Sequence, residues 1–384
     1  MTKPGMIQVL DAKGRFRRRA MLSGLALTVT ACAAPGPLIG IAPTRPLTDA
    51  EIERRSHRIF ITTTRQGSDV PGELYSAGRS ARLNFASVDV VIPPTHVAGQ
   101  IERPRGSARP DPHRHFVVTN PIVYPDYPAY KADIGAAFRA MPRGSRDGML
   151  WIHGYNNTLT DAVLRLAQFV EDSGYPGIPM LYSWASQGKA TGYIYDLNSA
   201  LIARDWLEQV PDLLTFGSIE GLDVVAHSMG NLVAMEAIRG IAWRGRFNTS
   251  RKLRNIVLAS PDIDIDLFAA QLSRIPVEER NFFVLVSTDD EALALSQTLA
   301  RRPRLGQIPA DVLARMGVNA IDLSQVRDTN SIHHNKFADA PEIVRLLGDR
   351  VLAGDSFNEP SLGPLGQAVI VGASGTITVI DEAP

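Results

Sequence analysis

The chain has 384 residues, of which 45% are hydrophobic and 21% are charged. This composition supports a large buried core and excludes disordered and fibrous classes of protein. Basic and acidic side chains balance over the whole chain, but six basic residues against one acidic residue precede Cys32, so the remainder carries a net charge of −5. A mildly acidic protein has no electrostatic reason to bind nucleic acid, and we expect no nucleic-acid partner.

Residues 1–31 have the pattern of a bacterial export signal. A basic cluster at 13–19 precedes twelve mostly apolar residues at 20–31, which as a helix would span about 18 Å, too short for a bilayer core of about 30 Å. Val29-Thr30-Ala31-Cys32 resembles the lipobox of bacterial lipoproteins. We therefore expect a lipoprotein signal peptide at 1–31 that is removed from the mature chain.

Cys32 is the only cysteine in the chain, so no intramolecular disulfide can form. The sole thiol lies where lipidation would use it, and we expect Cys32 to carry a lipid that anchors the protein to a membrane. Ala33 follows it in place of aspartate, which favours the outer membrane, facing the periplasm. The alternative is an ordinary secretory signal with an accidental cysteine.

The sequence after Cys32 divides into a tether, a folded domain and a tail. Residues 32–57 are rich in Pro, Gly and Ala and suit a tether, whereas 58–352 contains the strand and helix patterns. Short apolar runs alternate with helical spacing from 148 onward, which predicts an α/β fold with a mostly parallel sheet and helices on both faces. The strands are predicted at 58–64, 83–92, 149–153, 178–184, 222–228, 253–260, 281–287 and 319–324. Residues 353–384 form a C-terminal tail with one or two weak strand patterns.

The sharpest local signal is Ala226-His227-Ser228-Met229-Gly230. It follows the apolar run LDVV and precedes a helical stretch, so the serine lies on a tight turn between strand and helix. Such a turn needs small side chains two places before and two places after the serine, which alanine and glycine provide. This pattern resembles the nucleophile elbow of α/β-hydrolases, with Ser228 as nucleophile. A small-residue turn that only packs a helix on a strand is the alternative.

His153-Gly154-Tyr155-Asn156 follows another predicted strand directly, where an α/β-hydrolase places its oxyanion loop. The backbone amides of Tyr155 and Met229 are then the two expected oxyanion donors. His153 itself is interpreted as a residue that shapes this loop rather than as a general base.

The order of a hydrolase triad along the chain places its acid and histidine after the serine. Of the eight histidines, only His333 and His334 follow Ser228, and position alone leaves both open. Asp289 and Asp290 follow a predicted strand at the edge where catalytic groups of such sheets collect. We favour Asp290, with Asp262 after the preceding strand as a rival.

Eight collinear segments resemble those of a family of bacterial α/β-hydrolases of unassigned function, many with lipoprotein signals. The resemblance covers about 60–350 and implies an α/β-hydrolase fold with antiparallel N-terminal strands. It also selects His334 over His333 and Asp290 over Asp289. Two departures lie near the expected site: Ala185 replaces a proline, and Asn335-Lys336 replace a serine and an aromatic residue. The segments are FITTTR (60–65), HGYN (153–156), SWASQG (183–188), YDLNSA (195–200), AHSMGN (226–231), ASPDID (259–264), DEALALS (290–296) and HNKF (334–337).

These residues together predict a serine hydrolase of the cell envelope that acts on a carboxylic ester and resembles an esterase or lipase. Its expected partners are a small-molecule or lipid ester and, through the N-terminal lipid, a membrane; no cofactor is expected. Amide or thioester hydrolysis, acyl transfer, and a non-catalytic binding or scaffold protein are the alternatives. No metal is expected, because His113 and His115 have no carboxylate or cysteine cluster beside them.

Overall fold

The computed structural model of the protein describes residues 36–209, 218–326, 333–353, 361–362, 368–371 and 376–380. The predicted signal peptide and Cys32 lie outside the described residues. Within these ranges, no helix combines the length and the apolar composition that crossing a bilayer requires.

Twelve strands of the described ranges form one sheet in the order β10-β11-β12-β9-β8-β7-β6-β4-β5-β1-β2-β3. The eight strands from β12 to β1 in this order pair in parallel. Antiparallel pairing adds β2 and β3 at one edge and β11 and β10 at the other. The strands are β1 Ser56–Gly67, β2 Tyr75–Val91, β3 Val117–Tyr124, β4 Asp147–Ile152, β5 Ile178–Ser183, β6 Gly221–His227, β7 Leu253–Ala259, β8 Phe282–Val286, β9 Asn319–Asp322, β10 Ser361–Leu362, β11 Ala368–Val371 and β12 Thr376–Ile380.

Helices cover both faces of this sheet. One apolar cluster includes Trp151 of β4 with residues of α3 and α10, and the other includes the neighbouring Leu150 with residues of α2, α4 and α5. Successive side chains of a strand point to opposite faces, so each central strand contributes to both clusters. The helices are α1 Asp49–Arg55, α2 Tyr127–Ala140, α3 Leu159–Ser173, α4 Tyr193–Leu207, α5 Gly230–Trp243, α6 Ile265–Leu272, α7 Glu291–Ala300, α8 Ala310–Arg315, α9 Lys336–Asp339 and α10 Pro341–Leu346.

The architecture confirms the predicted α/β class with a mostly parallel sheet and antiparallel N-terminal strands. Every strand predicted from apolar runs is present, with bounds that shift by a few residues except in β2, which begins eight residues earlier. Sequence reasoning missed β3 and α2. Pro121 interrupts the β3 pattern, and the structure accommodates it because β3 is an edge strand, where a missing backbone donor leaves no partner unsatisfied.

The predicted tether at 32–57 needs correction over its described part. Leu38 and Ile39 are 3% and 4% exposed, and the Ile39 amide donates to the Gly72 carbonyl at 2.9 Å. Thr48 and Glu51 form a capping box at the start of α1. The described part of this stretch therefore belongs to the domain, to which the buried side chains of Leu38 and Ile39 attach it, although α1 itself has no buried residue. The tail, whose packing the sequence left open, contributes β10, β11 and β12 to the sheet.

The loop between β2 and β3 is fixed by a buried histidine. His96 has a side chain that is 4% exposed and lies between Asp172 of α3, at 2.9 Å, and Glu102, at 2.8 Å. Burial opposes charge on this ring, but the two hydrogen bonds outweigh it and raise the pKa of His96 to about 9. The loop that the sequence predicts without periodicity is thus attached to α3 by an ion cluster.

Candidate active site

Ser228 lies on a sharp turn between β6 and α5. Its φ of 51° is in the left-handed region, which is unfavourable for a residue with a side chain and which tight functional turns commonly impose. The turn brings α5 against the strand below it: a Cβ on Gly230 would overlap the His153 carbonyl oxygen and lie 2.6 Å from that of Ile152. A side chain at 230 is therefore excluded, as the elbow pattern predicts.

His334 and Asp290 meet beside this turn. The imidazole Nδ1 of His334 lies 2.7 Å from Oδ2 of Asp290, which is fully buried. The other carboxylate oxygen of Asp290 accepts the Leu293 amide at 2.9 Å and caps α7. The His334 ring also lies 4.9 Å, between ring centroids, from that of His227, the residue directly before Ser228. The structure therefore places His334 in contact with Asp290 and with the residue that precedes Ser228, at the carboxyl ends of the strands.

The rival acids have other partners in the described structure. Asp289 accepts two hydrogen bonds from the Lys336 ammonium, at 2.7 and 2.8 Å. Asp262 accepts from the hydroxyl of Ser296 at 2.6 Å and lies 3.1 Å from Nε of Arg304. Of the three candidates, Asp290 is the one that contacts His334.

The loop that carries Tyr155 approaches Ser228 closely. A Cβ on Gly154 would lie 2.8 Å from Cβ of Ser228, so only glycine allows this approach. Met229 precedes the first residue of α5, and its amide therefore points outward from a helix N-terminus, where partial positive charge accumulates. Within the described parts of the chain, neither the Tyr155 amide nor the Met229 amide donates a hydrogen bond. Two backbone donors without a partner thus belong to the two segments that meet at the serine: the turn that follows it and the loop whose Gly154 lies against it.

His153 is a buried part of the loop rather than a group at the surface of the site. Its Nδ1 lies 2.9 Å from the Gly154 carbonyl oxygen and its Nε2 lies 3.1 Å from that of Trp184. The ring stacks on the Trp184 side chain with centroids 5.0 Å apart. Burial, together with the nearby charge of Arg65, lowers the pKa of His153 to about 3. The ring is therefore neutral at physiological pH and shapes the loop, as the sequence indicates.

Sequence reasoning assigned no role to three buried charged residues around this site: Arg65, Asp196 and Lys336. They are 1%, 0% and 1% exposed, respectively. The signal that could have found Arg65 is a charged residue directly after the β-branched strand run FITTT, because burying an unpaired charge is costly. Lys336 is one of the two departures from the family pattern, and its ion pair joins the loop of His334 to that of Asp290.

A separate cavity of about 220 Å³ lies at the opposite ends of the strands, under α5. Its walls include Leu222 of β6 and Leu253 of β7, which are the first or second residues of those strands, whereas Ser228 follows the last residue of β6. It is therefore not the space above the serine. Among the described residues, no group of three or more histidine, cysteine, aspartate or glutamate side chains is arranged to hold a metal ion.

Comparison with known proteins agrees with this architecture. A family model described as "Alpha/beta hydrolase of unknown function (DUF900)" matches residues 137–350, a range that includes Ser228, Asp290 and His334. No match to a curated protein was found. The chain is also similar to solved structures of an esterase from Pyrobaculum calidifontis (14% identity, 55% of this chain and 78% of that chain, TM-score 0.33), a fungal esterase from Rhizomucor miehei (10%, 83% and 96%, 0.36) and lipase B from Aspergillus fumigatus (12%, 40% and 42%, 0.25).

Proposed function

The chain belongs to the alpha/beta-hydrolase family of unknown function whose model covers 137–350, and from this premise we propose that it is a serine hydrolase that cleaves a carboxylic ester. Ser228 is the nucleophile, His334 the general base and Asp290 the acid that orients it. The observation that carries the proposal is the 2.7 Å hydrogen bond between His334 and Asp290 beside a serine on a strained elbow.

In this mechanism the Ser228 hydroxyl attacks the ester carbonyl while His334 takes its proton through Nε2. The resulting oxyanion accepts hydrogen bonds from the Tyr155 and Met229 amides, each typically worth about 3 kcal/mol of barrier. The imidazolium returns the proton to the departing alcohol, and water then releases the acid from the acyl-enzyme by the same steps. Asp290 keeps the Nδ1 proton of His334 in place throughout, so that Nε2 is free to accept.

Covalent labelling tests the nucleophile. A fluorophosphonate probe should label the wild-type protein at Ser228 and fail on Ser228→Ala, with the adduct located by peptide mass spectrometry. Labelling that persists in Ser228→Ala would reject the assignment. A panel of p-nitrophenyl esters of graded acyl length then measures which acyl chain the site prefers, and hydrolysis of none of them would count against an ester substrate.

Two adjacent histidines provide a matched test of the base. His333 has a φ of 55°, and asparagine tolerates that conformation better than most residues. His333→Asn should therefore retain the wild-type rate within about threefold, whereas His334→Asn should lose at least about 10³ in kcat because a triad member is missing. Equal losses in the two variants would contradict the choice of His334.

We further propose that the enzyme is held in the cell envelope by a lipid on Cys32. The basic cluster, the short apolar stretch and the lipobox-like string support this proposal, as does the absence of any other cysteine in the sequence. Metabolic labelling with an alkyne fatty acid should tag the wild-type protein, and Cys32→Ala should remove the tag and release the protein from the membrane fraction. An untagged wild-type protein, or a Cys32→Ala variant that stays with the membrane, would argue against lipidation.

A further inference from the structure

The loop after Tyr155 contains a residue in the left-handed backbone conformation, which a buried carboxylate stabilises. Asn156 has a φ of 58°, in the left-handed region, where asparagine is tolerated but not preferred. Its amide donates to Oδ2 of Asp196, in α4, at 3.2 Å. Because this amide belongs to the peptide unit next to that of Tyr155, Asp196 restrains the direction in which the Tyr155 amide points.

Asp196 also binds a second loop. Its carboxylate accepts the Gln187 amide at 2.7 Å and the Ser186 hydroxyl at 2.5 Å. The same hydroxyl accepts the Asn157 amide at 3.0 Å. Two successive amides that follow Tyr155 therefore end, directly or through one hydroxyl, on a single carboxylate that is fully buried.

Arg65, at the end of the regular part of β1, binds the same two loops through their carbonyl groups. Its guanidinium donates to the Asn157 carbonyl at 2.7 Å and to the Ser186 carbonyl at 2.9 Å. A third bond reaches the Ser183 hydroxyl at 2.9 Å. Burial lowers the pKa of Arg65 to about 10, so the group stays charged at neutral pH. Arg65 thus binds the carbonyl groups of Asn157 and Ser186. Asp196 binds the Ser186 hydroxyl, which in turn accepts the Asn157 amide.

We propose that Arg65 and Asp196 are positioning residues that hold the Tyr155 amide in the direction that receives the developing oxyanion. Burying two charges without direct contact is costly, and a fold that needed only to pack these loops would gain more from apolar side chains. Preorganised donors stabilise a transition state most when they need no rearrangement during the reaction. This inference rests on the proposed serine hydrolase function.

Asp196→Asn provides the test, and Asp223→Asn provides the matched control. Asp223 is also a buried aspartate, 1% exposed, but it lies near the start of β6, at the other end of the sheet from Ser228. The amide that replaces the Asp196 carboxylate has one acceptor oxygen for three donors. We expect Asp196→Asn to lower kcat by about 10²-fold, the loss that follows removal of one oxyanion donor, with KM within threefold of wild type. Asp223→Asn should keep both constants within threefold.

The split between kcat and KM separates positioning from a general packing defect, because the oxyanion forms only in the transition state. Acylation and deacylation should slow together, since both pass through an oxyanion. A folded Asp196→Asn protein whose kcat stays within threefold of wild type would overturn the inference. If Asp196→Asn does not fold, Ser186→Ala removes only the hydroxyl bridge, and Arg65→Lys keeps the charge but not the three directed bonds. Both should show the same split, and wild-type kcat in either folded variant would overturn the inference as well.

Amide hydrogen exchange provides a readout that does not depend on activity. The amides of Asn156 and Asn157 should exchange at least about tenfold faster in Asp196→Asn than in Asp223→Asn. The Asn156 amide donates to Asp196 itself, and the Asn157 amide donates to the Ser186 hydroxyl that Asp196 orients, so the substitution weakens both bonds. Unchanged exchange at both amides would refute the proposed restraint even if the wild-type protein hydrolysed no ester. Absence of labelling at Ser228 with the expected exchange pattern would instead reject the proposed function and leave the restraint standing.

Discussion

Replacing Asp290 by asparagine should separate its two structural tasks. One carboxylate oxygen caps α7 through the Leu293 amide at 2.9 Å, and the other lies 2.7 Å from Nδ1 of His334. Asparagine caps a helix about as well as aspartate, so the free energy of unfolding of Asp290→Asn should stay within about 0.5 kcal/mol of wild type. The new amide group can, however, turn a donor toward His334.

A donor at this place favours the tautomer of His334 that carries its proton on Nε2, and that tautomer cannot accept the proton of Ser228. In triad enzymes the corresponding change lowers kcat by about 10⁴-fold, which is about 5 kcal/mol of barrier. Urea denaturation measures the first quantity and steady-state hydrolysis of the best p-nitrophenyl ester measures the second.

Asp262→Asn is the comparison, because Asp262 is a buried aspartate at the end of the neighbouring strand. Its carboxylate binds Ser296 and not His334, so its replacement should cost far less activity. A kcat for Asp290→Asn within tenfold of wild type, or a larger loss in Asp262→Asn, would refute the assignment of the acid.

Three further predictions concern stability. His96 has a pKa of about 9 in the folded protein against an ordinary value of 6.5, so the stability it contributes is complete below pH 6.5 and is lost as pH rises through 9. Between these limits the free energy of unfolding of the wild type should fall by about 3 kcal/mol more than that of His96→Gln. Parallel plots of unfolding free energy against pH for the two proteins would contradict this. Asp289→Ala leaves the Lys336 ammonium, 1% exposed, without its partner and out of reach of water, so it should lower the free energy of unfolding by about 3 kcal/mol in urea denaturation. Lys336→Met leaves the Asp289 carboxylate, which is 41% exposed and can be hydrated, so it should cost only about 1 kcal/mol. The reverse order of the two costs would refute this reasoning. Gly230→Ala should lower the free energy of unfolding by about 2 kcal/mol, because its Cβ would overlap backbone oxygen atoms that cannot move aside. An unchanged melting temperature would show that the turn at Ser228 can shift to accommodate the methyl group.

The central strands and the elbow could be predicted from sequence because their signals are local. A strand buried on both faces needs a continuous apolar run, and the turn at Ser228 needs small residues at fixed spacing. The candidate histidines could be narrowed to His333 and His334 by chain order alone. Pairing at the sheet edges has a weaker signal, since one face is exposed and a residue such as Pro121 is tolerated there, and β3 was missed for that reason.

Asp290 differs from Asp262 and Asp289 through a contact that the local sequence does not show. All three follow strands that end at the same edge of the sheet, so spacing along the chain makes them equivalent. The contact to His334 depends on where a loop more than forty residues later returns, which is a property of the folded chain. The sequence favoured Asp290 from its place after a strand, and the family resemblance selected it over Asp289 by analogy. The 2.7 Å contact with His334 gives that prediction a physical basis.

Local patterns thus determined the fold class and the tight turn at Ser228, at the carboxyl edge of the sheet, because hydrophobic periodicity and turn sterics act over a few residues. Tertiary structure alone decided that residues 36–57 belong to the domain and that Lys336 pairs with Asp289. It also decided that Arg65 and Asp196 bind the same two loops, which carry Asn157 and Ser186. These are contacts between residues far apart in the chain. They are selected by the desolvation of charges and the burial of small apolar patches, and both of these energies arise only when the chain folds.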